Sequence, residues 1–317
     1  MYGLKELKQT IKIENNSVEC PVKNCSMVVE RQKKFFKKDS KYKCPIHKIY
    51  ISPRTFEYET TEDNLLWTDH YDTKLYIEIL KVKRESRIAR DNSEDALTWN
   101  VMRFLDKQDL LSSFLSQISN KKIKTAELIL WSYYSKEQSD WSLLNKARIE
   151  FGETIARGSE PDIIILTDKT LYFIEAKLTA KNKTKPSNPK NRKKYEIGGN
   201  KLFHKIFRSD FETISILEER YELMRFWLLG CWMAKQLNLD FEFYSLVMEK
   251  EDMQIQTDFG KHLVETKERK YLRITWEQIS NFIKKTAITK EKKIMIDYFE
   301  NKTIGYKANQ LIKAFKN

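Results

Sequence analysis

Residues 157–177 read Arg-Gly-Ser-Glu-Pro-Asp-Ile-Ile-Ile-Leu-Thr-Asp-Lys-Thr-Leu-Tyr-Phe-Ile-Glu-Ala-Lys, and this stretch limits the fold more than any other. Two runs of β-branched, aromatic and aliphatic residues, Ile163–Leu166 and Leu171–Ile174, flank the polar turn Thr167–Thr170. Such runs around a short turn predict a hairpin of buried strands. Its open end carries charge: Asp162 begins the first strand, and Glu175 and Lys177 close the second. Side chains alternate along a strand, so Glu175 and Lys177 share a face. In an antiparallel pair the start of one strand lies beside the end of the next, which brings Asp162 toward Glu175. Two carboxylates and a lysine at the rim of an apolar sheet are costly unless something binds them. Their hard oxygens suit Mg²⁺ or Mn²⁺.

The surrounding segments place this hairpin in a larger α/β pattern. Ser93 precedes Glu94, Asp95 and an amphipathic run, a helix start; favourable charge at the positive helix N-terminus explains both acidic residues equally well. A second helical stretch with breaks is expected over Leu110–Leu130, strands at Ala147–Thr154 and Phe241–Met248, and a largely apolar helix at Phe211–Leu237. Pro161-Asp162…Glu175-Ala176-Lys177 in this setting resembles the PD-(D/E)xK nuclease superfamily, which includes restriction endonucleases and Holliday-junction resolvases; the resemblance covers about residues 90–250. It implies a restriction-endonuclease-like core, a mixed central sheet flanked by helices. It further implies that Asp162, Glu175 and the Ala176 carbonyl hold the catalytic Mg²⁺ or Mn²⁺, with Glu94 joining them and Asp95 its rival. Lys177 would position the attacking water. The implied activity is Mg-dependent endodeoxyribonuclease, of restriction/defence or repair/recombination type, with DNA as partner; many relatives form homodimers. The alternatives are a non-catalytic DNA-binding protein retaining the fold, and an interaction protein whose acidic pair is incidental.

Three of the four cysteines lie near the N-terminus, as Cys20-Pro-Val-Lys-Asn-Cys25 and Cys44-Pro-Ile-His47. Two such knuckles facing each other supply four ligands in tetrahedral arrangement, which suits structural Zn²⁺. A small unit of this kind has little core of its own, so the metal would contribute much of its folding energy. The expected division is a zinc-binding module at 1–60, a connecting segment at 61–89 containing a strand at Lys74–Lys83, and the main domain at 90–317 with a C-terminal helical extension.

The chain carries 58 Lys plus Arg against 45 Asp plus Glu, a formal net charge of +13. The excess is concentrated. Residues 1–50 hold 12 basic and 5 acidic residues, and residues 178–205 hold 9 and 1, leaving the remainder slightly negative. The second of these segments, rich in Pro, Gly and Asn, reads as a mobile loop beside the hairpin. Lys185, Lys190, Arg192, Lys193 and Lys194 are its candidate phosphate contacts. Together with the basic module it gives a two-point picture of DNA contact. No apolar run approaches the ~20 residues of a membrane span, and Met1–Lys5 show no apolar signal core. Few cysteines and no signal point to a reducing, cytoplasmic compartment. Neither GxGxxG nor GxxxxGK[ST] occurs, which leaves Rossmann and P-loop nucleotide sites without support.

Overall fold

The structure, a computed structural model, describes residues 7–83, 86–307 and 309–315. The N-terminal residues read for a secretion signal lie outside this set. In chain order the elements are β1 (Ser17–Glu19), β2 (Val28–Glu30), β3 (Tyr50–Ile51), β4 (Phe56–Glu57), α1 (His70–Val82), α2 (Glu94–Lys107), α3 (Leu111–Ser119), β5 (Ala126–Leu130), β6 (Tyr133–Tyr134), β7 (Ser139–Asp140) and α4 (Ser142–Glu150). There follow β8 (Ile163–Thr167), β9 (Thr170–Ala176), α5 (Arg192–Lys201), α6 (Phe203–Ile206), α7 (Tyr221–Leu237), β10 (Asp240–Val247), α8 (Ile255–Gly260), β11 (Arg269–Thr275), α9 (Trp276–Thr286), α10 (Glu291–Asn301), β12 (Thr303–Lys307) and β13 (Gln310–Lys313).

These elements form two compact units. The first gathers residues 7–73, 86–108 and 277–315; the second gathers 74–83 and 109–276. The units cut across the boundaries read from the sequence. The C-terminal segment, expected as a helical extension of the main domain, groups instead with the N-terminal module. The cause is apolar: Tyr306 and Leu311 of the β12–β13 hairpin join Ile11, Val18, Val29, Ile51 and Phe56 in one buried cluster.

The second unit is built on a seven-stranded mixed sheet of order β11-β10-β9-β8-β5-β6-β7. The expected hairpin is there, β8 antiparallel to β9 with Ile163 opposite Ile174 and Leu166 opposite Leu171. β10 runs parallel to β9, setting Ser245 beside Glu175 and Leu246 beside Ala176. Every residue of β9 is buried, as a strand covered on both faces requires. Helix α7 packs on this sheet through Trp227, Phe226 and Met233, with the Trp227 and Phe241 rings 5.5 Å apart. The approach is close enough that a Cβ on Gly230 would fall 2.0 Å from the Phe241 ring.

Several local expectations are corrected. Lys74–Lys83 is not a strand but most of α1, because Asp72, Tyr76 and Ile79 bury one helical face while Ile77 and Leu80 stay exposed. Ala147–Thr154 is not the first core strand; it closes α4, where Leu144, Ala147 and Phe151 share a buried face and Ile149 is exposed. The strand beside β8 is β5, inside the stretch read as helical, with Leu130 opposite Ile163. The helix expected over Phe211–Leu237 is interrupted at Glu219, whose φ of 59° stops it before α7 begins. The basic segment 178–205 is only partly a loop. Asn188 caps the turn Pro189–Asn191 by accepting the Lys190 N–H at 2.9 Å, and α5 follows with Tyr195 buried. Helical geometry then breaks at Gly198 and Gly199, where a Cβ would meet the Phe151 ring at 2.6 and 2.9 Å.

Candidate metal centre and acidic site

Cys20 follows β1 and Cys25 precedes β2, so the first knuckle is the connection of a small hairpin. Its turn closes through the Cys25 N–H donating to the Val22 carbonyl at 3.2 Å, with Asn24 in the left-handed region that asparagine tolerates. The second knuckle closes likewise, the Lys48 N–H donating to the Cys44 carbonyl at 2.9 Å. The knuckles converge. Cys20 Sγ lies 3.6 Å and Cys44 Sγ 3.8 Å from His47 Nδ1, and Cys25 Sγ lies 4.0 Å from Cys44 Sγ. All four ligand atoms fall within 4.8 Å of one another. A tetrahedral ion bound by sulfur at ~2.3 Å and nitrogen at ~2.0–2.1 Å separates its ligands by roughly 3.5–3.8 Å. The group therefore has the dimensions to hold a metal ion such as zinc. Burial, with the neighbouring Cys44 and Cys25 sulfurs, pushes the Cys20 thiol well above its ordinary value. A cation is what would offset that cost.

The acidic residues of the hairpin meet as their strand phase requires. Asp162 Oδ2 accepts the Ala176 N–H at 3.0 Å, and the Asp162 carbonyl accepts the Trp131 N–H at 3.1 Å. Lys177 continues the sheet through its N–H to the Leu246 carbonyl at 2.8 Å, while its own carbonyl accepts the Trp276 indole N–H at 3.1 Å. The Lys177 ammonium donates to Glu175 Oε1. Glu175 is 2% exposed, and its Oε2 is buried with no hydrogen-bond partner. Burial first, and then the charge of Asp162, raise the Glu175 carboxyl well above the usual carboxylate range; Lys177 opposes them. A buried carboxylate beside a second one, with one oxygen open, fits a hard cation.

One participant was not foreseen. Glu222, in the first turn of α7, lies 3.6 Å from the Lys177 ammonium and adds to the charge against Glu175. Further along α7, Arg225 lies over the Tyr221 ring at 4.6 Å and faces Glu153 at 3.7 Å. Glu153 also accepts the Tyr195 hydroxyl at 2.9 Å. This buried polar group braces α5 and α7 next to the site. Among the described residues, Cys20, Cys25, Cys44 and His47 form the tightly converging cluster of metal-ligand side chains; the acidic site brings two protein carboxylates and a lysine. Glu94 and Asp95 open α2 in the first unit, where Ser93 caps the helix by accepting the Ala96 N–H at 3.1 Å.

The basic segment is more engaged than its composition indicates. Lys185 pairs with Glu219 at 3.0 Å, and Arg192 with Glu196 at 2.7 Å. Lys194 lies over the Tyr195 ring at 4.9 Å and donates to the Gly152 carbonyl at 3.2 Å; burial lowers its ammonium below the ordinary lysine value. Lys190 and Lys193 are exposed. Among the described residues no helix is long and apolar enough to cross a membrane. Comparison with protein-family models, with curated proteins and with solved structures finds no match to this chain.

Proposed function

We propose that this chain is a metal-dependent deoxyribonuclease of the PD-(D/E)xK type, serving restriction/defence or repair/recombination, with a zinc-stabilised N-terminal module. The observation that supports it is the meeting of Asp162, Glu175 and Lys177 at the open end of the β8–β9 hairpin, with Glu175 Oε2 buried and unpartnered. Asp162, Glu175 and the Ala176 carbonyl are the oxygens that would hold Mg²⁺ or Mn²⁺. When bound, the ion supplies Lewis-acid chemistry, lowering the pKa of water and neutralising phosphate charge. Lys177 orients the attacking water and donates to the charge that develops on the phosphoryl oxygens. Glu222 gives the Lys177 ammonium a second counter-charge at 3.6 Å, which would keep it near the site with Glu175 facing a cation. Water adds at phosphorus as the P–O3′ bond breaks, so one strand end leaves as a 3′-hydroxyl and the other keeps the 5′-phosphate. In the module, Cys20, Cys25, Cys44 and His47 are the ligands of Zn²⁺; four protein ligands leave no open position, so that ion is structural.

Incubation with plasmid, linear and branched DNA in Mg²⁺ tests this reading. Cleavage that disappears in Asp162→Ala is the expected result. Binding without cleavage by the wild-type chain would leave a DNA-binding protein that keeps the fold, and neither binding nor cleavage would remove nucleic acid from the account.

A further inference from the structure

The loop between β2 and Cys44 carries Arg31-Gln32-Lys33-Lys34-Phe35-Phe36-Lys37-Lys38, and its two aromatic rings stand in opposite environments. Phe36 packs edge-on against Tyr50, ring centres 5.8 Å apart. Gln32 is buried and accepts the Lys37 N–H at 2.6 Å, so the base of the loop is fixed. Phe35, between these anchors, is 79% exposed. Lys33, Lys34 and Lys37 around it are exposed and, among the described residues, pair with no carboxylate. The basic residues further on are taken up internally: Lys38 donates to the Glu59 carbonyl at 3.3 Å, and Lys43 pairs with the Glu59 carboxylate at 2.7 Å.

Folding gains nothing from a large apolar ring held in water. A ring framed by unpaired ammonium groups matches a strand that offers phosphates and unstacked bases together. In a duplex the bases already stack on one another and present no free face. We propose that Phe35 is a stacking platform for an unpaired base, with Lys33, Lys34 and Lys37 on the flanking phosphates. The module thereby selects single-stranded or frayed nucleic acid. This rests on the reading of the chain as a protein that acts on nucleic acid, and names the form of substrate it engages. An anionic membrane would attract the same lysines, but one ring between charged neighbours is a poor membrane anchor.

The test is binding by the full chain, in Mg²⁺-free buffer, of an oligothymidine of about twenty nucleotides and of a duplex of the same length. Phe35→Ala weakens oligothymidine binding about five- to a hundredfold and changes duplex binding less than about twofold. Phe35→Trp restores the affinity. The salt slope is unchanged in Phe35→Ala and falls when Lys33, Lys34 and Lys37 are replaced by Ala. Unchanged zinc content in each variant shows that the module is intact. Undiminished oligothymidine binding by Phe35→Ala, or equal loss on both DNA forms, overturns the proposal. So does wild-type binding to phosphatidylserine vesicles in place of the oligonucleotide. A wild-type chain that binds neither DNA form defeats the nucleic-acid reading as well, whereas one that cleaves DNA in Mg²⁺ and binds without need of Phe35 defeats the stacking alone.

Discussion

Replacing Glu175 by Gln separates the stability of the acidic site from its function. Glu175 is buried, one of its carboxylate oxygens has no partner, and Asp162 and Glu222 both repel its charge. A buried polar group left unpaired costs about 1–3 kcal/mol, more when it is charged, so exchanging the charged oxygen for a neutral amide nitrogen recovers part of that cost. The amide is neutral and keeps an oxygen for Lys177. Since Tm moves about 2–4 °C per kcal/mol in a unit of this size, Glu175→Gln should raise the Mg²⁺-free Tm by up to about 12 °C. The pH dependence has a definite sign. The folded-state carboxyl is raised above its unfolded value, so its contribution is fully present below the unfolded pKa and is lost as pH rises through the folded one. Stability of the Mg²⁺-free wild type should therefore decline with pH above about 4.3, and this decline should be shallower in the variant. Thermal melts over a pH series, with and without Mg²⁺, measure both effects. The wild type should gain Tm on adding Mg²⁺ and the variant should not. A variant less stable than wild type, or one stabilised equally by Mg²⁺, would refute the account of Glu175 as a carboxylate strained in wait of a cation.

Three further outcomes follow from other parts of the molecule. Cys44→Ser should abolish metal binding by the module and strongly destabilise it, since structural zinc contributes about 10–16 kcal/mol in comparable small units; metal analysis with circular dichroism checks this. Burial, opposed by Asp91, brings the Lys302 ammonium down to about 8 from 10.5. The native state then holds fewer protons than the unfolded one between those values, so stability rises with pH across that window. Lys302→Met should abolish the rise and stabilise the protein at pH 7 by about 1–3 kcal/mol, after the loss of a cation–π contact with Tyr298; denaturant melts at two pH values measure it. In the basic segment, replacing Lys190 and Lys193 by Ala should lower the salt slope of DNA binding by up to about 2. Lys185→Ala should change it less, because that lysine is already paired with Glu219.

The parts of this molecule legible in its sequence are those set by short-range rules. Alternation along two strands and a four-residue turn are enough to bring Asp162 to the end of β9. Knuckle spacing is enough to gather Cys20, Cys25, Cys44 and His47. What escaped depends on distant partners. Ala126–Leu130 is composed largely of helix formers and becomes a strand through pairing with β8. The β-branched residues of α1 yield to the buried helical face of Asp72, Tyr76 and Ile79, with Asp72 held by Arg103 at 2.6 Å. Gln310–Lys313, read as helical, is a strand because β12 lies beside it. Glu222 reaches Lys177 only because α7 returns across the sheet, and no local pattern announces it.

On the proposed function, Lys177 serves the chemistry of a site where Asp162 and Glu175 would hold the metal. The most direct measurement is the single-turnover rate of Mg²⁺-dependent DNA cleavage by Lys177→Met beside that of the wild type. A loss of about 10²–10³-fold or more is expected, with the Mg²⁺-induced rise in Tm retained. Cleavage at the wild-type rate by this variant would contradict it.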